Sequence, residues 1–176
     1  MSRRLATFFV LALAACGKDE QPLAPNLNAE NRVATRSVDL FYESPAKLLV
    51  AEQRSVALPE NPAAALPVVM NELLKGSANT SVPRLLPEDT VIRGAYLLPD
   101  GTAVVDLGGP TLTEGWSTGT HQELMAIQSV VQTIVANFPD ARRVRLLLNG
   151  TPSDTLGGHI WLGQPFVPNA SVVTKQ

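Results

Sequence analysis

The residues with the most distinctive chemistry lie near the end of the chain, in the stretch Leu156-Gly157-Gly158-His159. Two interpretations are open. The glycine pair would let a ligand or partner approach the backbone closely, with the imidazole of His159 in contact. Alternatively, the glycines take positive φ in a tight turn and His159 makes a structural hydrogen bond. We favour the structural alternative, since a single histidine without a partner residue is rarely catalytic.

Asp106 is a second candidate, because it interrupts the apolar strand pattern Val104-Val105-Asp106-Leu107. A buried acid of this kind can belong to a functional site. More often, an aspartate in such a position points outward or caps a nearby turn. We again favour the structural interpretation.

The segment Thr120-His121-Gln122-Glu123 has the pattern of a capping box at the start of a helix. The Thr120 hydroxyl would accept a hydrogen bond from the Glu123 amide, and the Glu123 carboxylate would reach back to the cap residue. Capping then accounts for Glu123. Because residues two apart on a helix do not share a face, His121 and Glu123 make a poor metal pair.

We find no complete catalytic or cofactor motif in the sequence. Ser117, Thr118 and Thr120 lack a Gly-x-Ser-x-Gly elbow and an adjacent base. Gly108-Gly109-Pro110 lacks the lysine and the spacing of a phosphate-binding loop. We therefore expect no catalytic residue, no metal and no cofactor. Three aromatic residues could form an exposed contact patch, although core packing is the default for at least two of them: Trp116, Trp161 and Phe166.

The N-terminal residues resemble a bacterial lipoprotein signal. Arg3 and Arg4 precede an apolar run, residues 5–15, that is too short to span a bilayer, which needs about 20 apolar residues. Leu13-Ala14-Ala15-Cys16 resembles the lipobox, in which the cysteine thiol receives a diacylglycerol and becomes the acylated N-terminus. Two or more acyl chains, such as palmitate, hold a protein stably on a membrane. An ordinary cleaved signal would instead leave an unpaired thiol at Cys16.

Composition excludes several classes of partner. The chain holds 14 basic and 16 acidic residues, and cleavage of the signal would remove Arg3 and Arg4. The mature protein is therefore mildly acidic and lacks the basic footprint of a nucleic-acid-binding protein. One cysteine and two histidines nearly exclude a zinc site of the usual kind.

The rest of the sequence predicts a flexible tether, residues 16–36, then one domain, residues 37–170, and a tail, residues 171–176. The predicted elements are strands at 37–42 and 48–58, a helix from Asn61-Pro62 to Gly76, a hairpin of 90–98 with 102–107, a loop at 108–119, a helix from Thr120 to about Asn137, and strands at 143–148 and 159–162. This order predicts an α+β sandwich with two helices on one face of a mainly antiparallel or mixed sheet. Four polar residues of the second helix are expected to face away from the core: Gln122, Gln128, Ser129 and Gln132.

This order of elements resembles the GerMN domain, which occurs in a spore germination protein and in exported lipoproteins. The resemblance covers roughly residues 38–166. It lies in Leu73-Leu74-Lys75-Gly76, Leu86-Pro87, Val104-Val105-Asp106-Leu107, Gln128-Ser129-Val130-Val131-Gln132-Thr133-Ile134, Phe138-Pro139, residues 144–150 and Leu156-Gly157-Gly158-His159-Ile160. It implies a fold similar to small ring-building motifs and carries over no catalytic residue. The sporulation protein has two tandem copies, whereas this chain has room for one.

Three hypotheses about function follow. The first is a non-catalytic lipoprotein, anchored in the cell membrane or outer membrane, whose domain binds an envelope protein or peptidoglycan. Its expected contact residues are Asp106, Gly157, Gly158, His159 and Trp161. The second is a small-ligand sensor, which a deep apolar cleft beside His159 would favour. The third is a cell-wall hydrolase, which would need two acids facing each other in a cleft.

A substitution at Cys16 tests the lipid anchor. We expect Cys16→Ala to incorporate no fatty-acid probe during metabolic labelling and to leave the membrane fraction, because the acylated thiol is absent. The wild-type chain, labelled in parallel, should carry the probe and sediment with membranes. Equal incorporation in both chains would contradict the lipobox interpretation.

Overall fold

The computed structural model describes residues 32–174 of the chain. Cys16 and most of the expected tether lie outside the described residues. The elements in chain order are β1 (Val33–Glu43), β2 (Leu49–Pro59), α1 (Pro62–Leu74), β3 (Val91–Leu97), β4 (Thr102–Gly108), α2 (Pro110–Gly115), α3 (Thr120–Asn137), β5 (Arg143–Leu148) and a 3-10 turn (Ala170–Val172). The α+β class predicted from the sequence is confirmed.

Within the described range, the strands divide between two sheets, whereas the sequence led us to expect one. The first sheet pairs β1 with β2 antiparallel, from Val33 opposite Pro59 to Glu43 opposite Leu49. The second has the order β3-β4-β5, with β3 antiparallel and β5 parallel to β4. The first sheet therefore needs other partners for the edge of β1 that does not face β2.

Side chains of α3 supply those partners. The hydroxyl of Ser129 donates to Phe41 O at 2.6 Å, and Phe41 N–H donates to Thr133 Oγ1 at 3.1 Å. The Asn137 amide accepts from Asp39 N–H at 3.0 Å and donates to Asp39 O at 2.8 Å. Residues four apart share one face of a helix, so these three side chains bind the edge of β1 as a neighbouring strand would.

The polar residues of α3 do not mostly face solvent, so that expectation is wrong. Ser129 binds β1 as described above, whereas Gln122 is exposed. The buried Gln128 amide accepts from Asn169 N–H at 3.0 Å and donates to Val167 O at 3.3 Å. Gln132 Nε2 donates to Asn169 O at 3.2 Å. The C-terminal segment crosses this face of α3, and the glutamines satisfy its backbone groups.

The start of α1 follows its local signals. The side chain of Asn61 accepts from Ala63 N–H at 2.9 Å, and proline occupies the first helical position. The helix continues through Pro67. Gly76, with φ of +86°, follows its last turn.

Two segments differ from their predictions. Residues 108–119, expected as a loop, contain α2, which begins at Pro110 because proline suits the first turn of a helix. The expected strand at 159–162 is wrong, since this segment makes an isolated bridge from Trp161 to Thr155. Asn149 and Gly150 form a turn after β5, with φ of 49° and 76°, as the Asn-Gly dipeptide favours.

We find no helix among residues 32–174 that is long and apolar enough to cross a bilayer.

The ordered elements reach beyond the expected domain bounds of residues 37–170, which supports a test by truncation. β1 begins at Val33, and Thr174 N–H donates to Leu49 O at 2.9 Å. Val172 is 7% exposed, and burying such a side chain stabilises a fold by about 1.5–3 kcal/mol. We expect a fragment of residues 32–174 to unfold cooperatively, and a fragment of residues 37–170 to melt several degrees lower in circular dichroism. Equal melting temperatures would show that the terminal segments are dispensable.

Candidate functional site

The carboxylate of Glu123 lies fully buried under the glycine-rich stretch. Its Oε1 accepts from Leu156 N–H at 3.0 Å and from Gly157 N–H at 2.8 Å, and its Oε2 accepts from His159 N–H at 2.8 Å. The predicted capping box is therefore wrong. The cap residue is Gly119, which has no side-chain cap bond, and Glu123 binds a loop 33 residues further along the chain.

The electrostatics of Glu123 follow from these bonds. Burial raises the pKa of this carboxyl, and the backbone amides of Gly157, His159, Ile160 and Leu156 lower it, leaving the pKa below its ordinary value of 4.5. The side chain is therefore an anion at neutral pH. Successive N–H groups that converge on one anion form a nest, so the glycine loop, defined as residues 156–160, is fixed around a buried charge.

Each glycine of this loop is required for a different reason. A Cβ on Gly157 would lie 2.4 Å from Thr118 Cγ2, so only glycine fits between the two segments. Gly158 has φ of +95° and open space around it. Positive φ was expected for both glycines and occurs at Gly158 alone of the pair. His159 Nδ1 lies 3.1 Å from Gly157 O, and the imidazole is 41% exposed.

The three aromatic residues do not form one patch. Trp116 and Phe166 are partly buried against the hydrophobic core, as the default interpretation expected. Trp161 is 60% exposed. Its ring packs over Gly163, where a Cβ would lie 2.1 Å from the Cζ2 atom of the indole. The glycine loop and the residues just after it therefore present His159 and Trp161 to solvent.

Asp106 is buried and serves the turn that follows β5. Its Oδ1 accepts from Gly150 N–H at 2.7 Å, and its Oδ2 lies 3.6 Å from Arg93 Nε. Of the two structural roles considered, the aspartate has the capping role and does not point outward. It fixes the position of the Asn149-Gly150 turn relative to β4.

An open cleft of about 540 Å³ lies between three segments: residues 112–117, residues 148–153 and residues 155–158. Glu123 holds one wall through the glycine loop, and Asp106 holds another through the turn at Gly150. The cleft therefore has a preformed shape. His159 does not line it.

Comparison with known proteins agrees with this architecture. The Germane family, described as "Sporulation and spore germination", matches residues 39–154, which is well over half of the chain. This chain belongs to the Germane family. None of the curated proteins matches it.

Solved structures resemble this Germane domain in fold. A candidate lipoprotein from Clostridium perfringens is 18% identical with a TM-score of 0.54, covering 77% of this chain and 87% of that one. The first GerMN domain of the sporulation protein GerM from Bacillus subtilis is 19% identical with a TM-score of 0.51, covering 80% and 98%. The tandem GerMN domains of GerM are 20% identical with a TM-score of 0.47, and the match spans 78% of this chain and 46% of that one.

Other candidate residues of the Germane domain lie apart from one another. His121 Nε2 is 2.8 Å from Glu43 Oε1, so His121 and Glu123 do not converge. Within residues 32–174, no cluster of three or more histidine, cysteine or acidic side chains is arranged to hold a metal. The Oγ1 atom of Thr118 is buried and makes no hydrogen bond within the described chain.

Sequence reasoning missed the role of Glu123, although a signal was present. Glu123 lies four residues before Ile127, and the buried stripe continues through Val131 and Ile134. An acid on the buried stripe of a helix requires donors, and the glycine loop offers consecutive free amides.

The bonds of Glu123 predict how stability depends on side-chain charge. Glu123→Gln keeps the shape but places an amide N–H₂ where backbone donors converge. We expect unfolding free energy to fall by roughly 1–3 kcal/mol, the effect of a buried donor left unsatisfied. Urea unfolding at pH 7 measures it, with Glu114→Gln at an exposed position as the matched control.

The same bonds predict a loss of stability in acid. Because the folded-state pKa is lowered, the carboxylate contributes fully above a pH of about 4.5, its ordinary pKa, and loses this contribution as pH falls through the folded-state pKa. Between pH 6 and roughly pH 3, wild type and Glu114→Gln should lose more stability than Glu123→Gln. Parallel pH profiles for all three chains would contradict this role.

Proposed function

We propose that this protein is a lipid-anchored envelope protein whose Germane domain binds a partner and does not catalyse a reaction. The carrying observation is that a buried carboxylate fixes the glycine loop, and the loop and the residue just after it expose His159 and Trp161. Tryptophan is enriched among the residues that dominate binding energy. A rigid support also lowers the entropic cost of association.

The placement of the buried acids Glu123 and Asp106 supports binding over hydrolysis. A glycosidase needs two carboxyl groups that face the scissile bond. Both Glu123 and Asp106 accept hydrogen bonds from backbone amides, and neither lines the 540 Å³ cleft. The imidazole of His159 also lies outside this cleft, so an acid–base pair does not converge there.

The proposed location rests on the N-terminal sequence and on one structural relative. The lipobox-like stretch ends in Cys16, which would carry the acyl chains on the outer side of the cell membrane or on the outer membrane. A protein of similar fold is a candidate lipoprotein. In the envelope, the domain would meet envelope proteins and peptidoglycan, and its acidic balance disfavours nucleic acid.

The cleft beside the glycine loop keeps small-ligand binding as a second candidate. Its volume falls within the ~300–1,000 Å³ typical of ligand pockets. The cleft does not support a sensor in which His159 contacts the ligand, because His159 does not line it. Its walls also combine hydroxyl groups with apolar groups, whereas such a sensor was expected to have an apolar cleft.

Alanine substitutions at the exposed residues test the docking proposal. We expect His159→Ala and Trp161→Ala to retain the wild-type melting temperature and to lose capture of partners in pull-downs from crosslinked membranes. Tyr96→Ala is the matched control, since Tyr96 and Trp161 are each 60% exposed and Tyr96 lies on β3. Normal capture by stable His159→Ala and Trp161→Ala chains would remove both residues from the contact.

Gly158→Ala separates docking from backbone strain. Its positive φ means that alanine should destabilise the fold, with or without a partner. If His159→Ala instead lowers the melting temperature together with capture, the imidazole has a structural role and the docking proposal fails for it.

A further inference from the structure

The walls of the cleft beside the glycine loop carry no charged side chain within the described residues. The side chains that line it are apolar or bear hydroxyl and amide groups, and one is the indole of Trp116. A phosphate or carboxylate ligand would find no cation here, and a cationic ligand would find no acid. The cleft therefore fits a neutral ligand.

Three of the five hydroxyl groups that line the cleft already donate their protons within the protein. Thr151 Oγ1 donates to Leu148 O at 2.9 Å, Ser153 Oγ donates to Thr155 O at 3.0 Å, and Thr113 Oγ1 donates to Gly109 O at 2.7 Å. A hydroxyl that donates its single proton keeps oxygen lone pairs as acceptors. The cleft thus offers acceptors to a ligand that is rich in O–H or N–H donors.

Trp116 supplies an apolar surface of fixed position within the same cleft. Its ring is partly buried against the core, which restricts its rotation. Gly115 and Gly158 also line the cleft, and a Cβ at either would meet open space. A flat ring can therefore approach the backbone on both sides of the cleft.

We propose that this cleft binds a neutral carbohydrate, with a C–H face of a sugar ring against Trp116 and sugar hydroxyl or acetamido N–H groups donating to Thr151 and Ser153. A pyranose combines apolar C–H faces with a rim of donors, which matches the walls. A peptide in extended form would need a free strand edge. The wall segments 112–117 and 155–158 are not strands, and at the end of β5 the backbone of Leu148 is already paired with Thr151. The assignment rests on the proposed function, since an envelope location places the domain among glycan strands.

Fluorescence of Trp116 provides the test. The chain has two tryptophans, so Trp161→Phe leaves Trp116 as the only one, and its emission reports on the cleft. We expect titration of this otherwise full-length mature chain with a β-1,4-linked N-acetylglucosamine tetramer to shift the emission saturably in the millimolar range or below. A flexible neutral peptide of similar mass, titrated in parallel, should give no saturable shift.

A substitution that blocks the cleft tests whether the tetramer binds there. Ser117 is exposed and lines the cleft, so Ser117→Tyr in the Trp161→Phe background should weaken tetramer binding about tenfold or more, equivalent to at least 1.4 kcal/mol. Ser81→Tyr, at an exposed loop position elsewhere, is the matched control and should bind as the parent does. Equal melting temperatures in both chains establish that the fold is retained.

Two results would overturn the carbohydrate assignment. One is the absence of a saturable shift with the tetramer, and the other is equal binding by Ser117→Tyr and Ser81→Tyr. Either result leaves the docking proposal standing if His159→Ala still abolishes capture from membranes. If Ser117→Tyr in a chain that retains Trp161 abolishes capture of a protein while no tetramer binds, the cleft belongs to a protein partner instead.

Discussion

The buried charge of Glu123 is the constraint on which the C-terminal part of the domain depends. Removing a carboxylate from water costs several kcal/mol unless donors replace the water, and here the amides of Leu156, Gly157 and His159 replace it. The backbone must then turn its N–H groups inward toward one point. That geometry is incompatible with the alternating N–H directions of a strand, and no strand forms at residues 156–159.

Polar side chains of α3 also form hydrogen bonds with backbone groups of other segments that have no neighbouring strand. Three side chains of α3 bind the edge of β1, and two glutamines bind the segment near Asn169. Backbone groups that are buried without partners are strongly unfavourable, so these side chains decide where the irregular segments lie. The polar residues of α3 therefore shape the domain as much as its apolar stripe does.

Most regular elements could be predicted from the sequence, because apolar periodicity and local end signals act over short distances. Asn61-Pro62, the turn at Asn149-Gly150 and the hairpin around Gly101 each form where these signals lie. The helix at Pro110 was missed because two glycines and a proline in succession indicate a loop. The expectation of a single sheet was wrong. The apolar periodicity of a strand does not show whether a strand or a helix lies along its edge, and α3 lies along the edge of β1.

The candidate site was predictable only in part, since its walls come from segments far apart in the chain. Glu123 fits a local capping pattern and also lies on the buried stripe of α3. Its carboxylate binds backbone amides more than 30 residues away and does not cap the helix. The carboxylate of Asp106 likewise accepts a hydrogen bond from the backbone amide of Gly150, in the turn after β5. Both carboxylates thus accept hydrogen bonds from backbone amides that fix the cleft walls, and neither side chain lines the cleft. The cleft is therefore rigid and uncharged. Recognition in such a cleft depends on shape and on fixed acceptors, because long-range attraction requires an unbalanced charge.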